Sequence, residues 1–351
     1  MRCGRSASAV PEPKEKKRPP IELVCPAGSL PALRAAVDNG ADAVYIGFRD
    51  GLNARNFPGL NFSADDARLG IEYAHRRGVR VFVALNVYPR PQLWAGATRA
   101  VDEAARLEAD AVILADAGLL HYADEHHPQL NRHLSVQASA TNWRALEFYE
   151  RQFGVRRAVL PRVLSLAQVR QVIEHTNLEI EVFGFGSLCI MVEGRCALSS
   201  HLTGESPNTH GVCSPAHAVR WEETGEARQV RLNGVLIDEF TPGEAAGYPT
   251  LCKGRFEALG NVMHALEEPT SLNVLDILPQ LLSAGVRAIK VEGRQRSPAY
   301  VAQVTRALRA ELDACLRDPA HYRPQTAGSA VLARLAEGHT HTLGAYSRPW
   351  Q

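Results

Sequence analysis

Eight short runs rich in β-branched and small apolar residues recur along the chain, and segments with helical periodicity lie between them. The runs are Glu22–Pro26, Ala43–Phe48, Val81–Asn86, Ala111–Asp116, Leu134–Ser139, Ala158–Pro161, Ile180–Phe185 and, after a gap of about a hundred residues, Ala288–Glu292. Strand alternating with helix imposes parallel pairing, because each helix carries the chain back across the sheet before the next strand begins. Eight such units predict an α/β fold, a TIM-type (β/α)8 barrel, with one insertion between strands seven and eight. An open doubly wound sheet is the rival, since a count of strands does not prove closure.

The punctuation between runs agrees. Gly40, Gly78, Gly154 and Gly285 each follow a helical stretch and precede a strand, where a helix C′ glycine belongs. Ser63 with Asp66 and Ser165 with Gln168 have capping-box spacing, and Ser297–Pro298 places proline at the first position of a helix expected from about Pro298 to Leu316.

The chain therefore divides into a tail (1–20), barrel units one to seven (21–187), an insertion (188–271), unit eight (272–320) and a C-terminal tail (321–351). Residues 1–20 hold six basic and two acidic residues and four prolines, too little apolar surface to repay ordering, and read as flexible. Subtracting them from 39 basic and 38 acidic residues leaves 33 and 36, a body at −3. That balance speaks against a dedicated electrostatic nucleic-acid binder. No apolar leader and no run long enough for a membrane span occurs, so the expected location is the cytoplasm. Tyr346 and Trp350, in the last stretch, are candidates to dock on the body or on a partner.

Seven cysteines are an odd count in a chain long enough to build its own core, which argues for reduced thiols. Four of them, Cys189, Cys196, Cys213 and Cys252, fall in the insertion with six, sixteen and thirty-eight residues between them. The insertion also carries Gly-, Pro- and Ser-rich loops and a hairpin expected at Ala218–Trp221 and Gln229–Leu232 about a turn at Thr224–Gly225. Four thiolates from scattered positions suit an iron–sulfur cubane. Structural zinc is the competitor, although the paired C-x₂₋₄-C knuckles usual for it are missing. Four buried free cysteines are the plain alternative. Cys3, Cys25 and Cys315 read as bystanders.

The residues Glu181-Val-Phe-Gly-Phe-Gly-Ser-Leu-Cys189, continued by Ile-Met-Val-Glu-Gly-Arg-Cys196, resemble the signature of the U32 peptidase-like family. Ala288-Ile-Lys-Val-Glu-Gly-Arg294, followed by Ser297 and Tyr300, is similar to that family's second recurring block. The resemblance runs from about Ile21 to the C-terminus, and its cysteine spacing with the closing Leu343–Gln351 is most similar to the family's ubiquinone-biosynthesis branch. It implies that Cys189, Cys196, Cys213 and Cys252 bind one [4Fe–4S] cluster. It further implies oxygen-independent hydroxylation of a ubiquinone-precursor ring, with prephenate as oxygen donor. The partners implied are a UbiV-like paralogue in a heterodimer and a UbiT-like lipid-binding accessory protein. Relatives that hydroxylate bases of tRNA or rRNA supply the alternative activity, and U32-type peptidase action a further one. Nucleic acid as a partner is not expected from the charge of the body.

The sequence itself offers little support for a peptidase. It has no G-x-S-x-G and no H-E-x-x-H, and Ser187, Ser199 and His201 have no diagnostic spacing. If a barrel forms, its strand ends present Asn86, Asp116, Gln137, Ser139, Arg162, Lys290 and Glu292. Lys290 stands out, since after the tail only it and Lys253 are lysines. Strand alternation puts Lys290 and Glu292 on one side, as a barrel-lining ion pair or as ligand-binding groups. Lys290, Glu292 and Arg162 are thus the weak catalytic candidates, with Arg294 and the loop Asn53–Phe57 beside them.

Overall fold

The computed structural model describes residues 21–348 apart from Ala54, Asn56, Pro58, Ile190, Val192, Gly194, Arg195, Ala245 and the side chain of Asn208. The expected basic tail and Trp350 lie outside the described residues.

The eight barrel strands are Glu22–Pro26, Ala43–Ile46, Arg80–Leu85, Ala111–Leu114, Asn131–Leu134, Val155–Val159, Glu179–Ser187 and Ala288–Val291. Each pairs in parallel with the next, and the eighth pairs with both the seventh and the first, so the sheet closes. Val24 lies opposite Lys290, and Lys290 opposite Phe183. Closure rules out the open doubly wound sheet.

Alternation then sorts the side chains. Leu23, Val44, Ile46, Val81, Val83 and Leu114 face outward and join the helices in the main core, whereas Val24, Ala43, Tyr45, Phe82, Ala84, Ala111, Ile113 and Ala288 form a separate interior cluster. The interior is a packed core rather than a pore. Its lower layer is charged. Arg157, fully buried, donates to Glu22 at 2.7 Å and to Glu181 at 3.2 Å, Arg80 reaches Glu22 at 2.5 Å, and Lys290 reaches Glu181 at 2.6 Å. Burial alone would raise both carboxyls, yet the neighbouring cations win and hold Glu22 and Glu181 below the ordinary glutamate value.

The expected helix starts hold. Ser63 accepts from the Asp66 amide, Ser165 and Gln168 complete a reciprocal capping box, and Ser297 caps a helix running Pro298–Arg317. Two strands are displaced from expectation. The fifth is Asn131–Leu134, and Val136–Ala138 beyond it is a 3₁₀ turn, because the Ser135 hydroxyl takes the Gln137 amide and Ser139 turns left-handed at φ 57°. The sixth begins at Val155, three residues early.

Between strands seven and eight, Val219–Thr224, Ala227–Leu232 and Val235–Phe240 make a three-stranded antiparallel sheet, so the expected hairpin gains a third strand. Arg255–Ala258 and Asn261–His264 form a second hairpin. Ser271–Asn273 then runs antiparallel to the end of strand seven and pairs in parallel with His341–Thr342. Residues expected as a C-terminal tail carry the helix Thr326–Leu335, and the Tyr346 hydroxyl donates to the Phe183 carbonyl at 3.2 Å. The stretch is therefore docked on the body. Among the described residues no helix is long and apolar enough to cross a membrane.

Candidate active site at the barrel mouth

The C-terminal ends of the strands gather the charged residues that the sequence singled out. Glu292, just beyond strand eight, accepts from Arg162 at 2.5 Å and from Arg55, and Arg162 also pairs with Glu193. The Arg162 guanidinium lies 3.5 Å over the Phe183 ring. Burial works to raise the Glu292 carboxyl, but Arg162 and Arg55 overcome it and bring its pKa down to about 2. Glu292 is thus a fixed carboxylate that positions two guanidinium groups, which argues against a role as general acid.

Lys290 does not pair with Glu292. Its ammonium is in the interior, bonded to Glu181 and 4.1 Å from the centre of the Tyr45 ring, because strand seven brings an inward glutamate within reach one layer below the mouth. Asp116 is also spoken for, since its carboxylate caps the helix Ala117–His126. Asn86 donates to Ser135 at 3.1 Å, and Ser139 donates to the Glu193 carbonyl, tying the turn after strand five to the loop that follows strand seven. Among the described residues, Gln137 Oε1 and Glu193 Oε2 are buried without a hydrogen-bond partner.

Arg294 was a secondary candidate and emerges as a central feature of the mouth. It is 4% exposed, its Nη2 donates to Asn53 at 2.9 Å, its guanidinium lies 5.8 Å from the centre of the Tyr45 ring, and among the described residues its Nη1 is buried with no hydrogen-bond partner. Gly47 makes room for it, since a Cβ there would sit 2.4 Å from Nη1. Sequence reasoning gave no hint of this contact, which joins residues 247 positions apart.

The thiols approach from the insertion. Cys189 follows strand seven by two residues, Cys196 precedes the helix Leu198–Thr203, Cys213 lies in the loop after Pro207–His210, and Cys252 sits in the 3₁₀ turn Leu251–Lys253. They are mutually close enough to repel as thiolates: Cys213 with Cys189, Cys196 and Cys252, and Cys252 with Cys196. Cys213 is also within electrostatic reach of Arg55 and Glu292, and Cys189 of Arg162 and Glu193. Burial pushes the Cys189 thiol up to about 12 and the Cys213 thiol to about 11. Thiolates held this close would repel one another, and a polynuclear cation would neutralise that charge. Among the described residues no three Cys, His, Asp or Glu side chains gather tightly enough for a single metal ion. Four cysteine thiols are the donor set that a [4Fe–4S] cluster takes.

Lys253, beside Cys252, is bonded to Ser187 at 2.9 Å and to Glu337, which also accepts from Ser187. Ser187 and Lys253 resemble a nucleophile and base only by adjacency. The ammonium is shared with a carboxylate, and the pair serves to clamp the Cys252 loop to the C-terminal segment. Ser199 donates to the Cys213 carbonyl.

The sequence profile described as Peptidase family U32 matches residues 28–344. The chain belongs to the U32 family. Among its U32 relatives, tRNA hydroxylation protein P1 of Bacillus subtilis is 30% identical over 92% of this chain and 70% of its own length. The tRNA hydroxylation protein P of Escherichia coli is 32% identical over 83% of this chain and 68% of its own. The 23S rRNA 5-hydroxycytidine C2501 synthase of Escherichia coli is 31% identical over 91% of this chain, which spans 42% of that protein. These named U32 relatives are hydroxylation proteins, which supports an enzyme rather than an inert scaffold.

Proposed function

We propose that this chain is a U32 hydroxylase that acts on an aromatic ring of RNA, with Cys189, Cys196, Cys213 and Cys252 holding a [4Fe–4S] cluster beside the barrel mouth. The observation that carries it is the convergence of four thiols with Arg55, Arg162 and Glu292 at the face where barrel enzymes do their chemistry. A cluster held by these four cysteines would supply electron transfer, since they would fill the protein positions on its irons. Arg162 and Arg55, fixed by Glu292, bring positive charge within reach of Cys189 and Cys213.

RNA as substrate is favoured by the named activities of the relatives, against the near-neutral charge of the chain. The narrower expectation, a UbiU-like subunit acting on a ubiquinone-precursor ring with a UbiV-like paralogue, a UbiT-like lipid carrier and prephenate, is the second reading. It draws on the exposed apolar side chains of the second insertion hairpin, Leu259 at 97% and Val262 at 73%, which suit an apolar partner.

A deletion strain grown without oxygen separates the two. Loss of a hydroxylated nucleoside from tRNA or rRNA by mass spectrometry supports the first, and build-up of an unhydroxylated quinone precursor supports the second. Neither change would sink both. Anaerobic purification tests the cluster independently: about four iron and four sulfide per chain are expected, and stoichiometric zinc would overturn it.

A further inference from the structure

Between Glu72 and Asp102 the chain has no acidic side chain. The later part of that stretch, the loop after strand three and the start of the helix Trp94–Arg106, lies at the mouth end of the barrel. Its two arginines, Arg90 and Arg99, pair with no carboxylate among the described residues. Exposed arginines elsewhere set their charge against a neighbouring acid, as Arg68 does with Glu72, Arg106 with Glu103 and Arg144 with Glu147.

Arg90 is nevertheless held in place. Its Nη2 lies 2.9 Å from His210 Nε2, and His210 Nδ1 lies 3.3 Å from the Ser206 carbonyl. A guanidinium only donates and a carbonyl only accepts, so in this arrangement the imidazole donates through Nδ1 and accepts through Nε2. The arginine is thus positioned by an acceptor that carries no negative charge, in a contact that ties the loop after strand three to the cysteine-bearing insertion. Beside it the 3₁₀ turn Pro91–Leu93 presents Leu93, 50% exposed, and leads into Trp94, 39% exposed. The Trp94 ring lies over the start of the helix Ala117–His126, where a Cβ on Gly118 would sit 3.1 Å from its Cη2. Asp116 is close by, but its carboxylate is committed to the Leu119 amide at 3.0 Å. The Arg99 guanidinium turns back to the start of its own helix, 3.9 Å from where a Cβ on Gly96 would stand.

We propose that Arg90, Trp94 and Arg99 form a landing ledge for single-stranded RNA beside the barrel mouth, with the guanidinium groups on phosphates and the Trp94 ring stacked on a base. Guanidinium groups that no protein acid neutralises match phosphate oxygens, and an exposed indole next to them offers the flat face that an unpaired base takes. A duplex keeps its base faces inside its own stack, so the ledge fits a strand rather than a double helix. Anionic membranes also attract basic and apolar side chains, but through clusters of about four to eight basic residues, and two arginines fall short of that. Strand three ends at Leu85 and Arg90 follows five residues later, which keeps the ledge within about 17 Å of the strand end. A local ledge of this kind lets a near-neutral chain hold a polyanion. It deepens the hydroxylase reading, and rests on it only for what the RNA is bound for.

The test is fluorescence anisotropy of a short labelled oligouridine with the anaerobically purified full chain over a salt series, with phosphatidylserine vesicles as comparison and thermal unfolding to show that each variant is folded. Saturable binding of the oligouridine is expected, weakened about tenfold in Arg90→Gln and in Trp94→Ala and weakened less in Trp94→Phe, which keeps an aromatic face. Arg90→Gln should also lower the slope of log affinity against log salt by about 0.7, the share of one phosphate contact on a single strand. Arg106→Gln, at the far end of the same helix, should bind as the native chain does. No saturable binding by the native chain, unchanged binding by Arg90→Gln and Trp94→Ala, or vesicle binding that these variants lose while RNA binding stays would each overturn the proposal. Nucleoside analysis of the deletion strain keeps the two readings apart. Ledge-dependent binding with no nucleoside lost removes the RNA hydroxylase and leaves the ledge, and a lost nucleoside with variants that bind normally does the reverse.

Discussion

Arg162 and Glu292 meet at 2.5 Å across the mouth of the barrel, joining the loop after strand six to the segment after strand eight. The pair fixes the geometry of the site from two sides, because Arg162 continues to Glu193 near Cys189 and Glu292 continues to Arg55 near Cys213.

Replacing Glu292 with Gln leaves two buried guanidinium groups facing a neutral amide. The expected loss of stability is about 3 kcal/mol, measured by urea unfolding at pH 7. A change within a few tenths of a kcal/mol would mean that the arginines are compensated elsewhere.

Gly186 has φ 133°, and a Cβ there would lie 2.6 Å from the Glu292 Cβ. Gly186→Ala should therefore cost about 1–3 kcal/mol and shift Glu292 off its arginines. A crystal structure of the variant would reveal the displacement, and an unmoved Glu292 would contradict it.

Glu22 and Glu181 in the barrel interior are held below 4.5 by Arg157, Arg80 and Lys290 against the effect of burial. Carboxyls with lowered folded values add stability above their unfolded value, and it drains away as pH falls through the folded value. Unfolding free energy should thus decline as pH drops below about 4.5. In a Glu181→Gln/Lys290→Met double variant that acid slope should flatten, and an unchanged slope would assign the acid sensitivity to other carboxyls.

Lys253 and Glu337 hold the turn that carries Cys252. With the proposed cluster in place, Lys253→Met should retain the barrel while losing iron about tenfold faster to a chelator under anaerobic conditions, as outer-shell changes at metal sites commonly do. Iron retention equal to that of the native chain would show that the clamp does not steady the ligand.

The strands with uniformly apolar sequence, such as Ala111–Leu114, were legible because both of their faces are buried. Asn131–Leu134 was not, since Arg132 and His133 disguise it. Arg132 is satisfied by Asp124 and by the Phe153 and Leu130 carbonyls, and His133 packs edge-on against Phe82 inside the barrel. Polar residues inside a strand look like loop until their partners are known. The same reason hid the partner of Lys290, because Glu181 is 109 residues away in sequence and its alignment depends on barrel closure. The stretch after Pro298 looked like a helix followed by a tail because its apolar residues, among them Tyr322, Leu332 and Ala336, are spaced too widely to announce the core they join. The segment also gains order from Ser187, Ser271 and Phe183, which no local pattern announces.

Glu337 reaches back 150 residues to Ser187, and Tyr346 reaches 163 residues to Phe183. On a ribosome both residues emerge long after strand seven and all four cysteines of the insertion. Strand seven and the four thiols are therefore made before the segment that fastens the Cys252 turn, and that clamp can close only once synthesis has passed Glu337.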